Sequence, residues 1–154
     1  MPWDQAIELT LRLMAATLIG GVIGLNRDLH GKPAGVRMLG LVCLGSATAT
    51  LSLVNFDPAQ PVPVDALSRI AQGVLAGVGF LGAGVIMRDE AGQPHRLNTA
   101  ASIWVTAALG MACGLGAWIA VAIATIFVFV LLTIGSRIDH TFYGRFEKTQ
   151  DPKD

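Results

Sequence analysis

The chain has 154 residues, of which 53% are hydrophobic and only 14% are charged, and its formal net charge at pH 7 is zero. A soluble domain carries about 25% charged residues. This composition therefore predicts an integral membrane protein whose first partner is the lipid bilayer. The absence of net positive charge argues against nucleic acid as a partner.

The first apolar segment spans residues 3–25. Glu8 and Arg12 lie four residues apart within it, so they share one helix face and are expected to pair. Gly20 and Gly24 form a small-xxx-small pair, the spacing that lets two membrane helices approach closely. The acidic start of the segment and the lack of a small-residue cleavage site favour a retained helix over a signal peptide.

The second apolar segment, residues 38–56, carries no charge and is near the length that a bilayer requires. The loop before it, residues 26–37, holds three basic residues and one acid. The loop after it, residues 57–68, holds two acids, three prolines and no base. The two ends of this segment therefore face loops of opposite charge.

The third segment lies between Arg69 and Arg88, which enclose eighteen residues without a charge. Lipid offers no hydrogen bonds to the backbone, so a helix is expected here despite the glycine content. Five glycines occupy it and are predicted to make it the packing core of the bundle: Gly73, Gly77, Gly79, Gly82 and Gly84.

Three of these glycines also spell the dinucleotide-binding pattern G-x-G-x-x-G, namely Gly77, Gly79 and Gly82. That pattern requires a preceding strand and an acidic residue about twenty positions later. The flanks here are uniformly apolar, and no acid occupies the region from Asn98 to Ser102. Helix packing is therefore the preferred interpretation.

Residues 97–136 contain no charge and are too long for one crossing, which indicates two helices. Gly110, Gly114 and Gly116 provide a natural break, so we predict helices over residues 99–113 and 117–136. Residues 137–154 form a charged tail that is expected to be flexible. The predicted organisation is thus a transmembrane domain over residues 1–136 and a cytoplasmic tail.

The distribution of basic residues predicts the orientation. Nine of the eleven Lys and Arg residues lie in the loop at residues 26–37, at the edges of the loop from Arg88 to Asn98, or in the tail. Basic loops remain in the cytoplasm. The sequence therefore predicts an all-α integral membrane protein, a compact bundle of five transmembrane helices with its N-terminus outside and its C-terminus in the cytoplasm.

The sequence shows no arrangement of catalytic, cofactor-binding or metal-binding residues. His30, His95 and His140 fall in separate loops or in the tail, and Cys43 and Cys113 fall in apolar segments where small buried residues are expected. No cofactor is therefore expected, and the protein is predicted not to be an enzyme.

Polar residues do gather at the predicted cytoplasmic helix ends. We expect Arg37 to pair with Asp28 or to cap helix carbonyls, and Thr99 to cap the fourth helix. Either a hydrogen-bond network that fixes the loops or a binding surface for a partner would explain this cluster. Its members are Asn26, Arg27, Asp28, Arg37, Arg88, Asn98, Thr99 and Ser102.

Three stretches together resemble the MgtC/SapB family: IGGVIGLNRDLHGKPAGVRMLGLVCLG, GVGFLGAGVIMR and LNTAASIWVTAALGMACGLG. The resemblance covers roughly residues 20–116. It implies a bacterial inner-membrane protein linked to growth in low magnesium and, in some pathogens, to survival inside host cells. It also implies action by contact with other membrane proteins, the proton-translocating ATP synthase among them.

The chain departs from the family pattern at several polar positions. Asn26 stands where the family commonly has an acid, Met38 and Leu39 stand where it has threonine and histidine, and Arg96 stands where it has glycine. These departures remove polar groups near the cytoplasmic face. Long members also carry a soluble C-terminal domain, and this chain resembles a short member without one.

The preferred function is a non-enzymatic regulator that acts through helix–helix contact. A homodimer could form through the small-residue faces at Gly20 and Gly24 or at Gly73 and Gly77. The alternative is a small transporter or channel for an ion such as magnesium. Magnesium prefers octahedral oxygen ligands that include carboxylates, and no acid lies in the middle of an apolar segment.

Overall fold

The structure is a computed structural model that describes residues 3–54, 63–88 and 94–147. Within these ranges it describes side chains except at residues 87–88, 94–95 and 135–147. The predicted loop residues Asp57, Pro58 and Pro61 lie outside the described residues. Asp89 and the last seven residues of the predicted tail also lie outside them.

Five α-helices make up almost all of the described chain, as the sequence predicts. Two short strands, β1 (Met87–Arg88) and β2 (Pro94–His95), pair in antiparallel fashion between the third and fourth helices. The helices are α1 (Trp3–Leu29), α2 (Val36–Leu51), α3 (Val64–Val85), α4 (Leu97–Leu115) and α5 (Trp118–Glu147).

The helix boundaries differ from the predicted ones mainly where charged residues lie. α1 continues four residues past the predicted end at residue 25, and α3 begins five residues before Arg69. α2 ends at Leu51 instead of residue 56. Charge marks where a helix leaves the hydrocarbon, whereas backbone hydrogen bonding decides where the helix ends. Asp65 and Arg69 accordingly lie exposed inside the first turns of α3.

The break between α4 and α5 falls at Gly116, one of the three glycines predicted to provide it. Gly116 has a φ of 72°, a left-handed conformation that glycine adopts readily. Its N–H donates to the carbonyl of Cys113, and the N–H of Ala117 donates to the carbonyl of Ala112. These two bonds form a Schellman motif that ends α4. α5 then continues to Glu147, so part of the predicted flexible tail is helical.

The chain divides into two compact units, Met1–Val121 and Ala122–Asp154. The second unit contains the rest of α5, a helix with large apolar side chains exposed along it, Phe127 and Leu131 among them. The core of the first unit contains both cysteines as free, buried thiols. This core cluster consists of Ala16, Cys43, Ala47, Cys113 and Val121.

Glycine contacts define the helix directions in the first unit. Gly20 lies against Leu39 and Cys43, and Gly24 lies against Val36, so α1 and α2 are antiparallel. Gly110 lies against Cys43, and Gly114 lies against Ala47. Because both pairs advance in the same order along the chain, α2 and α4 are parallel neighbours.

Three helices, α1, α3 and α4, are long and apolar enough to cross a bilayer, whereas α2 and residues 118–134 form shorter apolar helices. Large apolar side chains cover the outer surface of α1. They are Ile7, Leu11, Met14, Leu18, Val22 and Leu25, each about half exposed. Contiguous apolar surface of this kind is covered by lipid in a membrane protein. The exposed apolar surface is therefore expected to face lipid. The number of five membrane crossings stays a prediction.

Candidate functional site

The loop between α1 and α2 is built by two adjacent residues at the end of α1. Asp28 reaches across the loop, and its Oδ2 accepts the N–H of Val36 at 3.0 Å. Gly35, the residue that precedes α2, has no side chain to cap the helix. A Cβ at Gly35 would collide with the Asp28 carboxylate. Asp28 therefore replaces a conventional cap, with a negative charge at a helix N-terminus where it is favoured.

Arg27 lies behind this loop and is only 4% exposed. Its Nε and Nη2 donate to the carbonyl of Pro33 at 3.1 and 2.9 Å. Its Nη1 donates to Ser102 Oγ at 2.8 Å, and Nη2 also donates to Thr99 Oγ1 at 2.7 Å. A single guanidinium thus joins the end of α1, the α1–α2 loop and the first turns of α4.

The hydroxyls of α4 are oriented to accept these bonds. Ser102 Oγ donates its own hydrogen to the carbonyl of Asn98 at 2.7 Å. Thr106 bonds in the same way to the carbonyl of Ser102 at 2.7 Å. Because the hydrogen of Ser102 is directed along its own helix, the oxygen lone pairs face the guanidinium.

The positive charge of Arg27 has no carboxylate partner among the described residues. All of its acceptors are neutral: one carbonyl and two hydroxyls. A buried charge is tolerated only when several hydrogen bonds replace its hydration. The rigid fork of arginine supplies donors in the directions that these three acceptors occupy, which lysine cannot do.

Among the described side chains, those of the predicted residues Asn26, Asp28, Arg37 and Asn98 form no bond to Arg27. Arg37 is exposed and makes no side-chain hydrogen bond or ion pair with another described residue. The predicted pair between Arg37 and Asp28 is wrong, because no ion pair or hydrogen bond joins these two described residues. The Asp28 carboxylate accepts the N–H of Val36. Asn98 is exposed, and the carbonyl of Asn26 accepts a 2.7 Å bond from His30. The side chain of Arg88 lies outside the described ones.

The predicted capping role of Thr99 is also wrong. The residue that precedes α4 is Arg96, with a φ of 68°, and no side chain caps this helix from that position. Thr99 is the third residue of the helix, buried, and its hydroxyl accepts the Arg27 bond. Because the helix begins at Leu97, Thr99 lies inside its first turn and not at the cap position.

At the other end of α4 a second arginine of α1 makes a similar link. Arg12 Nε pairs with Glu8 Oε1 at 2.8 Å, which confirms the predicted pair. Its Nη1 donates to the carbonyl of Gly114 at 2.8 Å. The Schellman motif leaves this carbonyl without a helical partner, and a cation at a helix C-terminus is favoured. Nothing in the sequence pattern predicts this bond across 102 residues.

The helix glycines differ in how closely a neighbouring helix approaches them. Gly20, Gly24, Gly110 and Gly114 lie so close to neighbouring helices that a Cβ would collide with backbone or side-chain atoms, at 2.6 Å from Leu39 O in the case of Gly20. Gly82 is intermediate, with Ala100 Cβ at 3.5 Å.

A Cβ at the other four glycines of α3 would meet no described atom within 4 Å; these are Gly73, Gly77, Gly79 and Gly84. Close packing of the described chain therefore lies between α1, α2 and α4. The expectation that α3 is the packing core of the chain does not hold at these four positions.

Two of the open glycines of α3, Gly73 and Gly77, line a shallow apolar groove between α2 and α3. The groove has a volume of about 400 Å³. Small residues from both helices form its floor: Gly45 and Ser46 from α2, and Gly73 and Gly77 from α3. Leu41, Val42, Val74, Val78 and Leu81 complete the lining.

The outward apolar surfaces, the arginines held at helix ends and the apolar helix interfaces define a multi-pass α-helical membrane protein. Comparison of the sequence with protein families gives a match to the MgtC family over residues 13–141. The chain belongs to the MgtC family, as the sequence resemblance indicates, and it is a multi-pass protein of the bacterial inner membrane.

Similar proteins extend the comparison. The chain is 43% identical over 153 residues to Protein SrpB of Synechococcus elongatus, covering 94% of this chain and 84% of that protein. It is 42% identical over 118 residues to Protein MgtC of Salmonella typhimurium, covering 77% of this chain and 48% of that protein. It is 38% identical over 130 residues to Protein MgtC of Brucella abortus, covering 83% of this chain and 51% of that protein.

The chain thus spans about half the length of these MgtC proteins. No solved structure matches the chain.

Proposed function

We propose that the protein is a non-enzymatic regulator of the inner membrane that acts by helix–helix contact with another membrane protein. The contact surface is the groove between α2 and α3. One observation carries this proposal: a Cβ at Gly73 or Gly77 would meet nothing within 4 Å in the described chain. Glycines that are not used for packing inside the fold are available for packing against a further helix.

The groove has the chemistry that a transmembrane helix needs. Membrane helices associate through van der Waals contact between small residues, since lipid gives no hydrophobic driving force. Gly45 on α2 and Gly73 and Gly77 on α3 leave the backbone accessible, and the rest of the lining is mostly apolar. The partner is therefore a helix of another membrane protein or of a second copy of this chain.

Membership of the MgtC family supports a role in growth when magnesium is limited. The family resemblance also implies the proton-translocating ATP synthase as one candidate partner. Both are proposals for this chain, because it spans about half the length of the MgtC relatives.

Photo-crosslinking in native membranes tests the contact. A photoreactive residue replaces Val74, which lines the groove, and the attached proteins are identified by mass spectrometry. We expect a crosslinked membrane protein whose yield falls strongly in Gly77→Leu, since a leucine would fill the groove. Gly79→Leu is the matched control, because Gly79 is equally open on the same helix but does not line the groove.

Growth in low magnesium should change in parallel with the crosslinking yield. It should be lost in Gly77→Leu and kept in Gly79→Leu. Equal yield and equal growth in the two variants would overturn the proposed contact surface. Magnesium flux into proteoliposomes that contain only the purified chain would instead support the transporter alternative.

We further propose that the end of the bundle with the α1–α2 loop faces the cytoplasm, which the positive-inside rule supports. Exposed positions are available at both ends, Lys32 in this loop and Asp65 at the start of α3. In a background without Cys43 and Cys113, a cysteine at Asp65 should react in intact cells with an impermeant thiol reagent. A cysteine at Lys32 should react only after lysis, and labelling of Lys32→Cys in sealed cells would reverse the orientation.

A further inference from the structure

Exposed cations gather at the end of the first unit that carries the α1–α2 loop. The side chains of Lys32, Arg37 and Arg96 are all exposed, and together they are named the cationic rim. None of the three side chains forms a hydrogen bond or an ion pair with another described residue.

The contacts of Arg27 bring two members of the cationic rim to one place. Its guanidinium bonds to the carbonyl of Pro33, the neighbour of Lys32, and to the hydroxyl of Thr99. The N–H of Thr99 in turn donates to the carbonyl of Arg96 at 3.0 Å. Arg37 follows Val36, whose N–H is held by Asp28 at the base of the same loop.

Large apolar side chains are exposed directly beside these cations. Leu29 is 76% exposed, three residues before Lys32, and Leu97 is 53% exposed, next to Arg96. Val36, next to Arg37, is 39% exposed. A soluble anion would gain nothing from contact with these apolar side chains, whereas a lipid presents a charged group and hydrocarbon together.

The charge at this end is positive among the described side chains. Asp28 is the acid of this loop, and its Oδ2 already accepts the N–H of Val36. Arginine binds phosphate oxygens with a planar fork, and lysine binds them as a point charge on a long apolar stem. These are the donors that recognise a phosphodiester at a membrane surface.

We propose that the cationic rim binds the phosphate group of an anionic phospholipid, with the acyl chains lying against the exposed apolar residues Leu29, Val36 and Leu97. The lipid binds at the loop end of the unit. Lipid binding at this end does not depend on the proposed contact function of the groove.

Native mass spectrometry of the full chain tests the proposal. The protein in neutral detergent is titrated with phosphatidylglycerol or with phosphatidylcholine, and the retained lipid is counted. We expect retention of phosphatidylglycerol only, and a loss of affinity of about fivefold for each cation removed. Arg37→Gln should show one such step, and the double variant Lys32→Gln/Arg37→Gln should show two.

Arg69→Gln is the matched control, because Arg69 is also exposed but lies thirteen residues before Gly82, the α3 residue that packs near the start of α4. Its affinity for phosphatidylglycerol should equal that of the unaltered chain. All variants change exposed residues, and equal melting temperatures in detergent without lipid will establish that they are folded.

Three results would overturn the proposal. Equal losses in Arg37→Gln and Arg69→Gln would reduce the effect to overall charge. Equal retention of phosphatidylcholine would remove the preference for an anionic lipid. Displacement of phosphatidylglycerol by an equal concentration of inorganic phosphate would identify a site for a free anion instead of a lipid.

Discussion

Two arginines of α1 reach opposite ends of α4, and they meet different surroundings there. Arg12 holds the carbonyl of Gly114 at the C-terminal end and is paired with Glu8. Arg27 holds the hydroxyls of Thr99 and Ser102 near the N-terminal end and has only neutral acceptors. Arg12 and Arg27 are fifteen residues apart in α1, which corresponds to about 22 Å at a rise of about 1.5 Å for each residue.

The difference shows how one fold stabilises a cation in two electrostatic settings. At the C-terminal end of α4 the helix dipole attracts Arg12. At the N-terminal end the dipole of α4 repels Arg27, while the C-terminal end of α1, where Arg27 itself lies, attracts it. Oriented hydroxyls and the Pro33 carbonyl then replace the missing counter-ion. Substitutions at four residues test this comparison.

The largest effect is expected for Arg27→Ala. The change leaves the Pro33 carbonyl without its donor and disconnects the loop from α4, so the free energy of unfolding should fall by about 3 kcal/mol. Titration of the detergent-solubilised protein with sodium dodecyl sulfate measures it. Arg27→Lys keeps the charge but loses the fork, so it should recover roughly half of the loss. Full recovery by lysine would mean that charge alone, and not the set of directed bonds, holds this end.

A smaller loss, about 2 kcal/mol, is expected for Arg12→Ala, because the Gly114 carbonyl loses its donor while the Schellman motif remains. The same titration measures it. A loss larger than that of Arg27→Ala would reverse the ranking of the two ends.

Glu8→Gln should have a still smaller effect. The Glu8 side chain is 37% exposed, so its ion pair with Arg12 is partly screened by solvent. We expect less than about 1 kcal/mol. A double-mutant cycle with Arg12→Ala isolates the pair, and a coupling energy as large as the Arg12→Ala loss would show that the Gly114 bond contributes little.

The smallest effect on stability is expected for Arg37→Ala. Its exposed side chain contacts no described partner, so the melting temperature in detergent should match that of Lys32→Ala, another exposed residue of the same loop. A clear fall in melting temperature for Arg37→Ala alone would contradict the structure and support the predicted role of Arg37 in pairing or helix capping.

The sequence predicts the features that local spacing determines. Five helices follow from the lengths of the uncharged segments, and the Glu8–Arg12 pair follows from a separation of four residues on one helix. The family follows from three stretches of sequence. None of these requires knowledge of which helices are neighbours.

The contacts between distant segments could not be predicted in this way. Arg27 belongs to the predicted polar cluster, but its bonds to Thr99 and Ser102 depend on how α1 lies against α4. For a similar reason, the predicted packing role does not hold at four of the five α3 glycines. Residues 73–85 of α3 are all apolar, so this part of the helix has no polar face to indicate which side turns inward. Gly110, which the sequence marks only as part of a break, packs directly against α2.

The bonds from α1 to α4 also constrain biogenesis. α1 is made first, and its partners in α4 follow 72 to 102 residues later on the ribosome. During that interval Arg12 can remain neutralised by Glu8 within its own helix, and Arg27 can stay among the lipid headgroups at the end of the first segment. Insertion of α4 then completes both sites, so the links between α1 and α4 form only after this helix enters the membrane.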